Sequence, residues 1–256
     1  MSAAPLGRSN AAPLGRSVGA QVLVELRLTA RRGENLLALA GIPVLVLLFF
    51  GSTSLVAVPG DQPVDYLLPG AIALAVVAAG LVNLGIATAY ERSYGVLRRL
   101  GASPLGRPAL IAAKIVSILA VVALQAMALV AVAWLALAWR PAEDASLALL
   151  VATLVLGAVA MTSLGLLLAG TLLAEATLAL ANGLFILAVA IGGVVVPTSA
   201  LPGPLATIAD LLPFAALSGA LRIALGTAPA EIGPFLVLTA WGAFATIVAS
   251  RRFRWD

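Results

Sequence analysis

Apolar residues run in long blocks along this chain, and polar ones gather in short clusters between them. Six blocks, at 36–58, 67–89, 109–139, 146–173, 176–196 and 234–250, are each long enough to cross a hydrocarbon layer about 30 Å thick at about 1.5 Å per helical residue. The pattern predicts an all-α polytopic membrane protein with six transmembrane helices. The third and fourth blocks exceed a single crossing, which implies tilt or extension beyond the bilayer. Between the fourth and fifth, around Ala174 and Glu175, there is room only for a tight helical hairpin.

The clusters between blocks predict further elements. Ahead of the first block, Val22, Leu23, Leu26 and Ala30 line one side of a helix and Gln21, Glu25, Thr29 and Arg32 the other. With its basic flanks this is expected to be an N-terminal interfacial helix over 18–35, lying along the membrane surface and ended by Gly33, Glu34 and Asn35. Residues 1–17 carry the near-repeat AAPLGRS twice, with too little apolar content to fold, and are expected to be disordered and not a secretory signal. After the second block, YERSYGVLRRLGASPLGRP at 90–108 is the longest charged interruption. On a helical wheel Glu91, Arg92, Gly95, Arg98 and Arg99 share one side, while Tyr90, Tyr94, Leu97 and Gly101 follow an apolar stripe, which predicts one short amphipathic helix. The segment 196–233 contains Pro197, Pro202, Pro204, Pro213 and Pro229 yet stays apolar, unlike a loop in water. Two short helices dipping back into the membrane, a re-entrant extracellular helical hairpin over 197–233, account for that composition.

Composition and charge sharpen this picture. The chain is 62% hydrophobic and 10% charged, against about a quarter charged in soluble domains. Its net charge of +4 comes from residues beside the spans, where they set topology, so nucleic acid is not an expected partner. With the N-terminus inside, 13 of the 15 basic residues fall on the cytoplasmic side, leaving Arg140 and Arg222 outside. This predicts a multi-pass protein of the cytoplasmic membrane with both termini cytoplasmic, and an aromatic belt with Tyr66, Trp134 and Trp139 near the outer interface.

Candidate chemistry is sparse. There is no Cys and no His, no paired-carboxylate or metal-ligand set and no phosphate-binding loop, so no cofactor is expected and ATP, if used, is hydrolysed by another polypeptide. Lys114, the only lysine, lies about a turn inside the third block and can snorkel to the cytoplasmic face. A relay for ion-coupled transport is missing from the spans. Neutral polar groups remain: Asn83, Thr88, Gln125, Thr162, Ser163 and Asn182. They either bond helix to helix beside Gly157, Gly165 and Gly183, or line a mildly polar path, for which Asn83, Thr88 and Asn182 are the candidates.

Taken together, the basic N-terminal helix, six spans, the loop Glu91 to Pro104, the Pro-rich apolar hairpin and the tail Arg251-Arg252-Phe253-Arg254-Trp255 resemble the membrane subunit of a type-2 ABC exporter, also called a type V ABC permease. The loop is similar to that family's Glu-Arg-x-x-Gly-x-Leu…Leu-x-x-Ser/Thr-Pro pattern, with Ser93 at an often charged position and Leu212-Pro213 where Asn-Pro is frequent. The resemblance covers the permease domain 36–256 and implies an ABC ATPase subunit as partner and a second permease protomer, identical or paralogous, in membrane lipid. It implies that 90–104 is a cytoplasmic coupling helix, with Glu91, Arg92, Gly95, Leu97, Arg98, Arg99, Ser103 and Pro104 meeting the ATPase. Glu25, Arg27, Arg31 and Arg32 of the interfacial helix would stand beside it. The second and fifth spans would line the path of a hydrophobic or amphipathic compound such as a drug, antibiotic or lipid, and no residue would be catalytic. The alternatives are a non-transporting membrane scaffold or sensor subunit and, less supported, an ion-coupled carrier.

Overall fold

The structure, a computed structural model, describes residues 33–53, 58–59, 62–101 and 106–253, together with Gly19 and Leu23. The repeat at 1–17, the interfacial-helix residues Glu25, Arg27, Arg31 and Arg32, and Ser103, Pro104, Arg254 and Trp255 lie outside the described residues. Among the described residues the chain is all-helical: α1 (Gly33–Gly51), α2 (Pro63–Ser93), α3 (Val96–Gly101), α4 (Gly106–Ala136), α5 (Leu147–Thr171), α6 (Ala174–Ile191), α7 (Gly203–Asp210), α8 (Pro213–Ala224) and α9 (Gly233–Arg252). Five of these, α2, α4, α5, α6 and α9, are long and apolar enough to cross a membrane, and α1 carries a shorter apolar run, Gly41–Gly51. The first span was expected to reach residue 58, but α1 stops at Gly51, where Ser52 and Thr53 hydroxyls donate to the carbonyls of Leu48 and Phe49. The tight turn predicted at Ala174 and Glu175 falls at Leu172 and Leu173.

Helix α2 is the post around which the others stand. Of its most apolar window 89% is buried, against 22–39% in the other four, because alanine and leucine occupy every side of it. Helices α1, α4, α5, α6 and α8 all pack on it. Its neighbours approach closely where glycines allow. A Cβ on Gly165 of α5 would lie 2.6 Å from the carbonyl oxygen of Gly80, and one on Gly85 would lie 3.1 Å from the Cα of Gly165. Gly157 likewise receives the side chain of Leu217, whereas a Cβ on Gly183 would meet nothing within 4 Å among the described residues. Gly165→Leu is therefore expected to cost about 3 kcal/mol, because the obstructing atoms are backbone and cannot rotate away. Thermal unfolding of the purified chain in detergent measures it, and an unchanged midpoint would refute the close approach.

At this contact α2 departs from regular geometry. Over Ala78–Asn83 its turns widen, and Leu84 N–H bonds to the carbonyl of Ala79, five residues back. This π-helical stretch inserts one residue into the ladder and shifts the register of the following turns.

The hairpin is built as two helices, α7 and α8, meeting at 76°. Its limbs begin and end at the same level: Gly193, just past α6, and Arg222, near the end of α8, both touch Tyr66 at the start of α2. Helix α8 then closes at the start of α5, where Ser146 N–H bonds to Ala224 O. The pair therefore enters and leaves at one end of the bundle, and its buried return limb carries Phe214, Leu217 and Leu221 into the core.

Candidate functional site

Arg92, Arg98, Arg99, Lys114, Arg251 and Arg252 gather at one end of the bundle, joined there by Phe253, which lies against Gly170. Arg140 and Arg222 stand at the other end. The stretch expected to form one amphipathic helix is broken in two. Tyr94 and Gly95 leave the helix, Gly95 at φ +69°, a left-handed conformation that glycine adopts freely, and α3 restarts at Val96. The single wheel therefore fails: Tyr94, placed on the apolar stripe, is 72% exposed and stacks at 6.1 Å on Tyr90, while Leu97 is 1% exposed and anchors α3.

The break sorts the charges by role. Glu91 accepts from Lys114 Nζ at 2.8 Å, so Lys114 is held inside the protein and does not snorkel. Arg92 donates to the carbonyl of Leu172 in the α5–α6 turn, and its Nη1 is buried without a hydrogen bond. These two residues tie the end of α2 to α4 and to α5–α6. Arg98 and Arg99 are exposed, beside exposed Val96 and Tyr94. What projects from this end is a short cationic helix held from behind by Leu97 and by the Glu91–Lys114 pair.

The three polar path candidates are not brought together on one surface. Thr88 is enclosed, 1% exposed, with its hydroxyl lacking a hydrogen-bond partner. Asn83 ends the π-helical stretch and is half-buried. Asn182 lies on the exposed side of α6, its Nδ2 donating to Leu178 O at 2.9 Å. Of the remaining polar groups, Ser163 joins α5 to α9 through Thr246 at 2.8 Å, as helix-to-helix bonding requires.

At the opposite end sits a cluster that residue patterns had not singled out. Arg222 lies over the Tyr66 ring at 3.6 Å and donates to the carbonyls of Tyr66 and Gly193. Tyr66 in turn donates to Gly193 O at 3.0 Å. Gly193 can present its carbonyl here because its φ is +66°. Tyr66 and Trp139, expected in an aromatic belt, are buried in the protein; Trp134 is exposed, with Arg140 at 5.6 Å over its ring.

An all-helical architecture with five long apolar helices among the described residues, a charged stretch after α2 and a bent helix pair ahead of α9 agrees with one comparison. The family model for ABC-2 type transporter matches residues 19–225. The chain belongs to the ABC-2 type transporter family. No curated protein matched the chain. As a member of that family it is the membrane-embedded permease component of an ABC transporter, with multiple spans, and the family implies an ABC ATPase partner. The matched region of this ABC-2 type transporter runs from Gly19 to Leu225 and so contains both the charged stretch broken at Gly95 and the Arg222 cluster.

Proposed function

We propose that this ABC-2 type transporter chain is the permease subunit of an exporter that moves a hydrophobic or amphipathic compound outward, driven by a separate ATPase bound at the Arg98 end. The observation that carries the reading is the projecting α3, whose exposed Arg98 and Arg99 are the side chains best placed to meet a cytosolic partner. The charge bias of the spans supports placing that end in the cytoplasm. A push on α3 passes through buried Leu97, and a push on the end of α2 passes through Glu91–Lys114 to α4 and through Arg92 to the α5–α6 turn. Glu91 and Arg92 thus serve as transmission, and the ATPase contact itself falls to Arg98, Arg99, Tyr94 and Val96.

Two copies of the chain would face each other across the exposed side of α6 and the half-buried Asn83 of α2, bringing Asn182 and Asn83 to a shared path. The hairpin, pinned by Arg222, would cover the outer exit. ATP-driven closure of the ATPases would change which end of that path is open. Reconstitution of the chain with its ATPase in vesicles tests the reading: ATP-dependent movement of an amphipathic fluorophore is expected, and hydrolysis with no movement across a panel of such compounds would favour a scaffold subunit.

A further inference from the structure

Helix α2 changes character at its π-helical stretch. Every residue at 66–81 is buried, so that half has no free side. Beyond it Val82, Asn83, Ile86, Ala87 and Tyr90 are half-buried and recur at three-to-four spacing, an open stripe that starts where the widened turns end. Both ends of the helix are tied: Tyr66 to Gly193 and Arg222, Glu91 to Lys114, and Arg92 to the carbonyl of Leu172. Between these ties the contact with α5 is built from small residues. The carbonyl oxygens of Gly80 and Leu81 would lie 2.6 and 3.0 Å from a Cβ on Gly165, Gly85 faces the Cα of the same glycine, and one turn further Ala89 packs with Ala169 and Ala174.

A residue inserted into a helical ladder belongs to no fixed place along it. Passing the bulge down a helix trades backbone bonds that reach five residues back for bonds that reach four, without net loss, and turns only the residues passed, by about 100° with about 1.5 Å of rise. Each residue then takes the place its successor held. With the bulge moved from Ala78–Asn83 onto the following stretch of equal length, 84–89, the ties at both ends are untouched. Asn83 takes the buried place of Leu84, and Val82 takes the half-buried place of Asn83. Thr88 marks this second seat. It is enclosed, and its hydroxyl has no partner while the bulge stands at Ala78–Asn83. A bulge at 84–89 leaves a backbone carbonyl there without its helical N–H, an acceptor for that hydroxyl.

We propose that the π-helical stretch is a moving joint in α2 with a second seat at 84–89, and that its movement exchanges Asn83 for Val82 on the open stripe, turning that surface from polar to apolar. A surface that holds an amphipathic compound in one register and releases it in the other serves the exporter reading, on which the proposal rests for its purpose. The joint itself is measured on the purified full chain with no ATPase. Gly165→Ala sets a methyl against the carbonyls of the bulge and should drive it to the second seat. In that background Asn83→Cys is expected to react with maleimide about ten-fold or more slower than in the parent background. Val82→Cys, still on the open stripe, and Tyr90→Cys, beyond the second seat, should keep their rates. All three shifting together, or none shifting, would overturn the joint. Amide hydrogen exchange tests it with Gly165 in place: 78–89 of the parent should exchange about ten-fold or more faster than 66–77. Deletion of Ala79 removes the inserted residue while leaving the faces of α2 where they are, and should remove that excess. Equal protection of the two segments in the parent, or an excess that survives the deletion, would equally overturn it. Results as expected in both, without ATP-dependent movement in vesicles, would instead count against the exporter reading.

Discussion

A chain carrying Arg98→Glu and Arg99→Glu is expected to insert and fold normally and to lose its ATPase in detergent co-purification, with affinity falling at least about ten-fold. Both side chains are exposed on α3, so reversing them leaves the described packing untouched. Two charges change sign, from +2 to −2, on the surface a cytosolic partner would meet, and like charges facing each other suppress association. Glu91→Gln provides the contrast. It removes the carboxylate opposite Lys114, whose side chain is 3% exposed, and is expected to cost about 2 kcal/mol of stability, since Glu91 itself is partly exposed. Thermal unfolding should register Glu91→Gln and not the arginine pair, while co-purification should respond far more to the arginines. If the double reversal co-purified as the parent does, the ATPase would not bind through α3.

The second large effect is expected at Arg222. Its removal takes away a charged donor to two carbonyls and a cation from the Tyr66 ring, together worth about 2 kcal/mol or more. The hairpin would then open more often at its base. The chain has no cysteine, so a single one placed at buried Val195 reports that opening alone. With Arg222→Gln, labelling of Val195→Cys by a membrane-impermeant maleimide should quicken about ten-fold or more. Tyr66→Phe keeps the ring and loses only the hydroxyl bond to Gly193, so its effect should be smaller. Equal labelling rates in all three backgrounds would mean that the cluster does not hold the hairpin shut.

Much of the architecture was legible because it follows from composition. A block such as 147–171 has a single stable solution in hydrocarbon, a helix, and Pro202, Pro204 and Pro213 mark where the hairpin limbs begin. What escaped depends on single residues whose effect is geometric. A helical wheel assumes an unbroken helix, and Gly95 at positive φ breaks it, so Tyr94 and Leu97 could not both be assigned correctly. The widening at Ala78–Asn83 changes no apolar pattern and left no trace in the residues. Glu91 and Arg92 sat among exposed arginines in the chain, and only the nearby Lys114 and Leu172 carbonyl turn them inward. Gly192 and Gly193, too common a pair to interpret alone, gain meaning from Arg222, 29 residues beyond Gly193. Thr88 was grouped with Asn83 by position in the span, yet it faces the core.

The central claim, that ATP at one end alters access along α2, is tested most directly at Asn83. In the otherwise cysteine-free chain, Asn83→Cys is assembled with the ATPase in vesicles and exposed to an impermeant maleimide from each side in turn. Labelling is expected from the Arg98 side without nucleotide and from the hairpin side when ATP hydrolysis is trapped with vanadate. Labelling from the same side in both states, at the same rate, would contradict the account.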